Sequence, residues 1–275
     1  MRESPSRGRR SSSGLRLPKS AGWRRRFRDG TSETQAIDRW DAWILKDPGI
    51  EPGTSAQSVV RPLRILAIAV QKGGTGKTTL AASLAVAAAE AGERVAALDL
   101  DPQNSLAGWG ALRTERSVAV DRVQPWEIGQ LPAILDQLAE QGTTLAVLDT
   151  AGSAAGLAPA LKSADFALLP VRPSRLDIVA ARPTLKALVD LGLRGRLALV
   201  LNQCPPLPSP RTSAYAEQLH GLGVLAEPSI IHRVDHQDAL ATGLGVTEYA
   251  PGGPAAEEIR ALWAWIDAKM RATAH

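Results

Sequence analysis

The sequence predicts an α/β fold, a doubly wound and mainly parallel sheet behind a basic, disordered N-terminal extension. Three observations carry that prediction. Short apolar runs of strand length recur (LRILAIAV, RVAALDL, TLAVLD, ADFALLPV and LALVL), separated by stretches with helical periodicity. These runs are apolar throughout instead of alternating, as strands buried on both faces of a parallel sheet must be. A glycine-rich turn, KGGTGKTT at 72–79, joins the first run to an alanine-rich helical stretch.

With 275 residues the chain can bury one sizeable core, or one core and an appendage. Its single cysteine, Cys204, excludes a disulfide framework or a cysteine-built metal site within one chain, and suits a reducing cytoplasm. Cys204 itself reads as a loop thiol. The formal charge of +4 is unevenly placed: residues 1–62 hold 13 basic and 7 acidic residues, whereas 63–275 hold 19 and 21. No apolar run reaches the length of a membrane span, and the N-terminus lacks the apolar core of a secretory signal. A cytoplasmic location is the expectation.

Taken in order, residues 1–30 are rich in Arg, Ser and Gly with few apolar anchors, a composition that predicts disorder. Arg24, Arg25, Arg26 and Arg28 can meet DNA phosphates without sequence preference, against the plainer reading of a solvated tail. Thr31 to Lys46 has a short helical stripe (Ile37, Trp40, Ile44), and Pro48 to Pro62 reads as a linker. The domain of 63–275 then opens on a buried strand, Leu63 to Val70. A helix from Lys77 to Ala91 follows, stopped by Gly92. Between them, Gly73, Gly74, Thr75 and Gly76 let the backbone curl so that several N–H groups converge on one anion at a helix N-terminus. Lys77 is placed to reach terminal phosphates, the Thr78 hydroxyl to ligate Mg²⁺, and Thr79 to continue the cradle. These residues describe a site for a nucleoside triphosphate. Lys72 is a second cation that this cradle does not need; aimed at a neighbouring subunit, it can stabilise transition-state charge as an arginine finger does.

Arg94 to Leu100 is the next buried strand and delivers Asp99 and Asp101, two carboxylates on one side of the strand end, toward the crevice where open α/β sheets bind ligands. Ser105 to Arg113 begins a helix, Ser117 to Val123 is an edge strand, and Trp126 to Gln141 carries a helical stripe (Ile128, Leu131, Ile134, Leu135, Leu138). Trp109 and Trp126 are expected to pack. Thr144 to Asp149 is a strand ending in a carboxylate that can hold Mg²⁺ through water. Strands follow at Ala164 to Val171 and Leu197 to Leu201, with a helix opening near Arg172 to Asp177. Asn202 can read adenine by donating and accepting at once, with Pro205 to Pro210 as a wall of the base pocket. A helix at Ser213 to Leu222 and a last short strand at Ser229 to His232 complete the sheet region. His232 and His236, at i and i+4, superficially suggest a metal pair, but with no third ligand they read as surface or packing residues. The final helix, Ala255 to Ala272, has an apolar stripe (Ile259, Leu262, Trp263, Ile266, Met270) and a near-neutral polar face, which predicts docking onto the sheet and not a membrane surface.

The motif KGGTGKTT, followed by Asp99-Leu100-Asp101-Pro102-Gln103 and by Leu145 to Thr150, resembles the deviant Walker A, A′ and B motifs of the ParA/MinD family of P-loop NTPases (the SIMIBI type), most of all its short ParF-like branch. The resemblance runs from about Leu63 to Ile266 and does not cover the first sixty residues. It implies a slow, partner-stimulated ATPase with ATP and Mg²⁺ as cofactors. It assigns Lys72, Lys77 and Asp101 to catalysis, with Asp101 orienting the attacking water. Thr78, Asp99 and Asp149 fall to the metal and its shell, and Thr150 to Ser153 to sensing the γ-phosphate. It further implies an ATP-dependent sandwich homodimer that binds DNA non-specifically and partitions a plasmid or chromosome with a ParB-type centromere-binding partner. The protein would be nucleoid-associated in its ATP state, with Arg175, Arg182 and Lys186 as DNA-contact candidates. The alternatives within the family are a MinD-like membrane-surface regulator and a positioning ATPase with a non-DNA cargo.

Overall fold

The computed structural model describes residues 62–273 other than 153, 208, 222 and 223. The basic tail, its short helix and all but the last residue of the linker lie outside the described residues. Six strands, β1 (Arg64–Ile68), β2 (Val95–Asp99), β3 (Val118–Arg122), β4 (Leu145–Asp149), β5 (Phe166–Val171) and β6 (Leu197–Leu201), form one sheet in the order β3-β2-β4-β1-β5-β6. Every pairing is parallel. Register fixes the site: Ile68 of β1 and Asp99 of β2 both pair with Asp149 of β4, so the three central strands end level.

The helices are α1 (Lys77–Glu90), α2 (Ser105–Leu112), α3 (Leu131–Glu140), α4 (Ala154–Ser163), α5 (Arg175–Asp190), α6 (Pro210–Gly221), α7 (Asp235–Ala241), α8 (Val246–Tyr249) and α9 (Pro254–Thr273). Alternate strand residues face opposite layers. Leu66, Ile68, Val95, Ala97, Leu145 and Val147 join one apolar cluster with α1 and with Ile259, Leu262, Trp263, Ile266 and Met270 of α9. The stripe of the last helix is therefore spent in the core. Its alanines let α1 sink between the sheet and α9, buried continuously from Leu80 to Ala88. Close approach continues at Gly245, where a Cβ would come within 2.7 Å of Val86. Trp109 packs as expected, its indole N–H donating to the Leu244 carbonyl at 3.0 Å.

Four expectations need correction. The helix foreseen from Trp126 begins at Leu131, after a 3₁₀ turn at Ile128–Gln130, with Pro132 in its first turn where a missing N–H costs nothing. Trp126 is 76% exposed and packs into no core. No strand forms at Ser229 to His232, although the segment does run parallel to β6. Ala226 donates its N–H to Leu199 O and Ile230 to Leu201 O, with isolated bridges at Leu225 and Ile231. The next N–H in an unbroken ladder would belong to position 228, and Pro228 has none to give. Cys204, read as a loop thiol, is buried at the Ile231 bridge.

An ionic cluster closes the N-terminal end of the sheet. Arg64 donates to Glu93 at 2.8 Å and to Asp267 of α9 at 2.6 Å, Arg271 reaches both acids, and the Thr144 hydroxyl donates to Glu93 at 2.5 Å. Removing Glu93 leaves Arg64 and Arg271 sharing Asp267 alone and takes the acceptor from the Thr144 hydroxyl. Glu93→Ala is therefore expected to lower stability by about 1 to 2 kcal/mol in urea unfolding, whereas a loss below about 0.5 kcal/mol would show the cluster to be solvated.

Candidate functional site

The segment after β1 turns over the C-terminal edge of the sheet and re-enters as α1. Gly76, the residue before that helix, has φ +89°, and a Cβ there would lie 2.5 Å from Asn202 Nδ2. Both facts demand glycine. Asn202, at the end of β6, donates from Nδ2 to Thr75 O at 2.7 Å, and Gln203 donates from Nε2 to Gly74 O at 3.2 Å. The amide foreseen as a base reader thus spends one of its two N–H groups clamping the phosphate loop. Lys77, buried at the first position of α1, donates to Lys72 O at 3.2 Å across the loop.

Beside the loop, Thr78 donates its hydroxyl to Asp149 Oδ2 at 2.6 Å. The other carboxylate oxygen, Oδ1, is buried and has no hydrogen-bond partner among the described residues. Burial pushes Asp149 up to about 7, against the opposing pull of Thr78 and Lys77. An orphaned carboxylate oxygen next to a Thr hydroxyl is the donor set of an oxygen-ligated cation, so Thr78 and Asp149 fit Mg²⁺. When bound, the ion neutralises charge on phosphate oxygens.

Asp99 is differently employed. Oδ1 accepts from Asp101 N at 3.0 Å and Oδ2 from Ala107 N at 2.9 Å, so it braces the loop carrying Asp101 and the start of α2. Burial raises its pKa, and those backbone donors oppose the rise. Asp101 stands half-buried at the crevice and accepts from Gln103 N at 3.0 Å. From β4 the chain continues through Thr150, whose hydroxyl bonds Ile68 O at 2.9 Å, to Gly152. A Cβ on Gly152 would lie 3.8 Å from Lys77 Nζ, so this segment passes directly over the loop.

The structure also shows a partner that sequence reasoning missed. Lys72 Nζ lies 2.7 Å from Asp177 Oδ1, at the start of α5, and Arg172 Nε lies 3.0 Å from the same oxygen. Burial works against the Asp177 charge, yet hydrogen bonds from Lys72, Ser174 and Arg172 outweigh it and hold the carboxyl below its usual range. The signal was the Ser174-x-x-Asp177 capping pattern; the pairing with a lysine a hundred residues upstream had none.

A family model, the CobQ/CobB/MinD/ParA nucleotide binding domain, matches residues 66–246. The chain belongs to the ParA/MinD family. Within it, the chain is 31% identical over 210 residues to the maintenance of carboxysome distribution protein A of Halothiobacillus neapolitanus, covering 72% of this chain and 93% of that one. The same-named protein of Gloeobacter kilaueensis is 39% identical over 140 residues, covering 50% of this chain and 62% of that one. The chromosome partitioning protein ParA of Caulobacter vibrioides is 49% identical over 74 residues, 26% and 27% of the two chains. Among solved structures, the Pyrococcus horikoshii septum site-determining protein MinD complexed with Mg-ADP has the same fold, with a TM-score of 0.60 at 22% identity over 77% of this chain and 98% of that one. ParA/MinD membership makes the glycine-rich loop a nucleotide site.

A carboxyl pushed up to about 7 by burial favours its protonated form below that pH, and a proton competes with Mg²⁺. The Mg²⁺-dependent gain in nucleotide affinity is expected to strengthen from about pH 6 to about pH 8 and to vanish in Asp149→Asn. Titration calorimetry reads it, and a gain indifferent to pH would remove Asp149 from the metal site. The metal-free protein should show the opposite trend. The folded state holds this proton up to about pH 7 and the unfolded state only to about pH 4, so the contribution of Asp149 falls as pH rises between those values.

Proposed function

We propose that this chain is an ATP-driven positioning switch: two copies close face to face around two ATP molecules, and hydrolysis lets them part. The observation that carries the reading is the lysine-bearing phosphate loop itself, with Lys77 turned inward across the loop and Lys72 held outward at its mouth by Asp177. The loop N–H groups and Lys77 take the phosphates, and Thr78 and Asp149 hold Mg²⁺. Asp101 orients the attacking water, with Asp99 fixing its loop. To serve the facing copy, Lys72 must leave Asp177; Arg172, already 3.0 Å from the same oxygen, keeps that carboxylate paired when it does. The exposed Leu176 and Val179, on the first two turns of α5 beside Asp177, are apolar surface that a second copy can cover. ATP then binds the dimer better than the monomer, so nucleotide state sets assembly.

The output we propose is ATP-dependent, non-specific DNA binding, in a cytoplasmic protein that associates with the nucleoid while ATP is bound. Arg175, Arg182 and Lys186 support it, since all three stand exposed on α5 at spacings that bring them to one helix face. A ParB-type partner would stimulate turnover. A second cargo has its own support, because the relative covered over 93% of its length is named for carboxysome distribution. The membrane-surface reading loses its main feature, since the apolar stripe of α9 is buried against α1 and the sheet.

Light scattering with ATP and with ADP tests the switch. Lys77→Ala should abolish nucleotide binding, whereas Lys72→Ala should bind nucleotide yet remain a monomer in ATP. Equal loss of binding in both variants would end the role of Lys72 across the interface. Retention on DNA of the full chain with ATP, with ADP and without nucleotide tests the output. Retention only with ATP is expected, and indifference to nucleotide would detach DNA from the switch.

A further inference from the structure

A cavity opens beside the phosphate loop, between Gly76 and Thr79 on one side and residues 230–233, 236 and 237 on the other. Leu80 and Ile230 give it apolar walls. Into the same lining comes His236, the second residue of α7, which is only 7% exposed. Neither its Nδ1 nor its Nε2 has a hydrogen-bond partner among the described residues. A buried imidazole with both nitrogens unsatisfied is costly and calls for explanation.

We propose that His236 is a base-contacting residue, hydrogen-bonding the edge of the nucleobase whose phosphates occupy the glycine-rich loop. The inference rests on the nucleotide reading of that loop and adds to it a residue the sequence offered only as a packing group. The chemistry of the lining selects the ligand class. Aliphatic walls beside a neutral donor and acceptor match a heterocycle with apolar faces and polar edge atoms. Burial lowers the His236 pKa and favours the uncharged ring, which suits the polar edge of a base, and Arg233 in the same lining is paired with Glu258 at 2.6 Å. A metal is the poorer match, since no group of three ligating side chains exists among the described residues. Asn202 and Gln203 line the cavity too, but both donate to carbonyls of the phosphate loop. Among the polar side chains of the lining, His236 is the buried one with neither polar atom partnered among the described residues.

Comparing ADP with pyrophosphate by titration calorimetry isolates the base contact. His236→Phe and His236→Leu remove both nitrogens at two different sizes, so a packing failure in one leaves the other to be read. In either, ADP affinity should fall about 5- to 10-fold, the scale of one lost neutral hydrogen bond with its partner left unpaired, while pyrophosphate affinity holds. His236→Gln, which restores a donor and an acceptor, should recover most of the ADP affinity. Unchanged ADP binding in His236→Phe and His236→Leu would overturn the proposal, and so would an equal loss for ADP and pyrophosphate. The nucleotide reading is tested separately, because wild-type pyrophosphate affinity in Lys77→Ala would overturn the loop's role whatever His236 does.

Discussion

The hydrogen bond from Thr78 to Asp149 is the contact on which the rest of the site depends. It ties the first turn of α1 to the end of β4, and through β4 to both neighbouring strands. Asp149 could not sit fully buried without it, since an unpaired carboxylate in that position is strongly penalised. The bond satisfies one oxygen and leaves the other open. That half-satisfaction is what distinguishes a cation site from a finished structural brace, and Asp99, with both oxygens engaged by backbone, supplies the contrast one strand away.

Register explains why these groups meet. Because β1, β4 and β2 are paired so that Ile68, Asp149 and Asp99 are level, the loops leaving all three strands emerge at one edge. Placing β4 between β1 and β2 sets a carboxylate next to the phosphate loop; had β1 and β2 been neighbours, Asp149 would stand a strand further off. The α1 alanines serve the same end from below. A helix of larger side chains would ride higher above the sheet, and its first turn, bearing Lys77 and Thr78, would move with it.

Much of this was legible in the sequence because it is local. Fully apolar runs gave the parallel strands, and the glycine turn between a strand and a helix gave the anion site. What escaped was set by contacts distant in sequence. Asn202 looks like a free amide until Gly76 is seen against it, and Lys72 looks like a free cation until Asp177 is placed beside it. His232 and His236 drew notice for their i, i+4 spacing, which points to a metal. Their burial, which separates an exposed ring from a sequestered one, is a tertiary property. Pro228 did carry a local signal against a strand at 229–232, but only the neighbouring β6 ladder reveals which N–H is missing.

The two ends of the sheet solve opposite electrostatic problems. At the N-terminal end, burial opposes charge on Asp267, but Arg271 and Arg64 more than compensate and hold its carboxyl below the usual range. At the C-terminal end, Asp149 has no cationic hydrogen-bond partner among the described residues and is pushed up to about 7. The unpartnered Oδ1 of that carboxylate is the feature that leaves room for a ligand. The arginines of the closed cluster tie α9 to β1 and to Glu93, and the apolar stripe of α9 covers α1. The loop can change occupancy while the sheet beneath it stays in register.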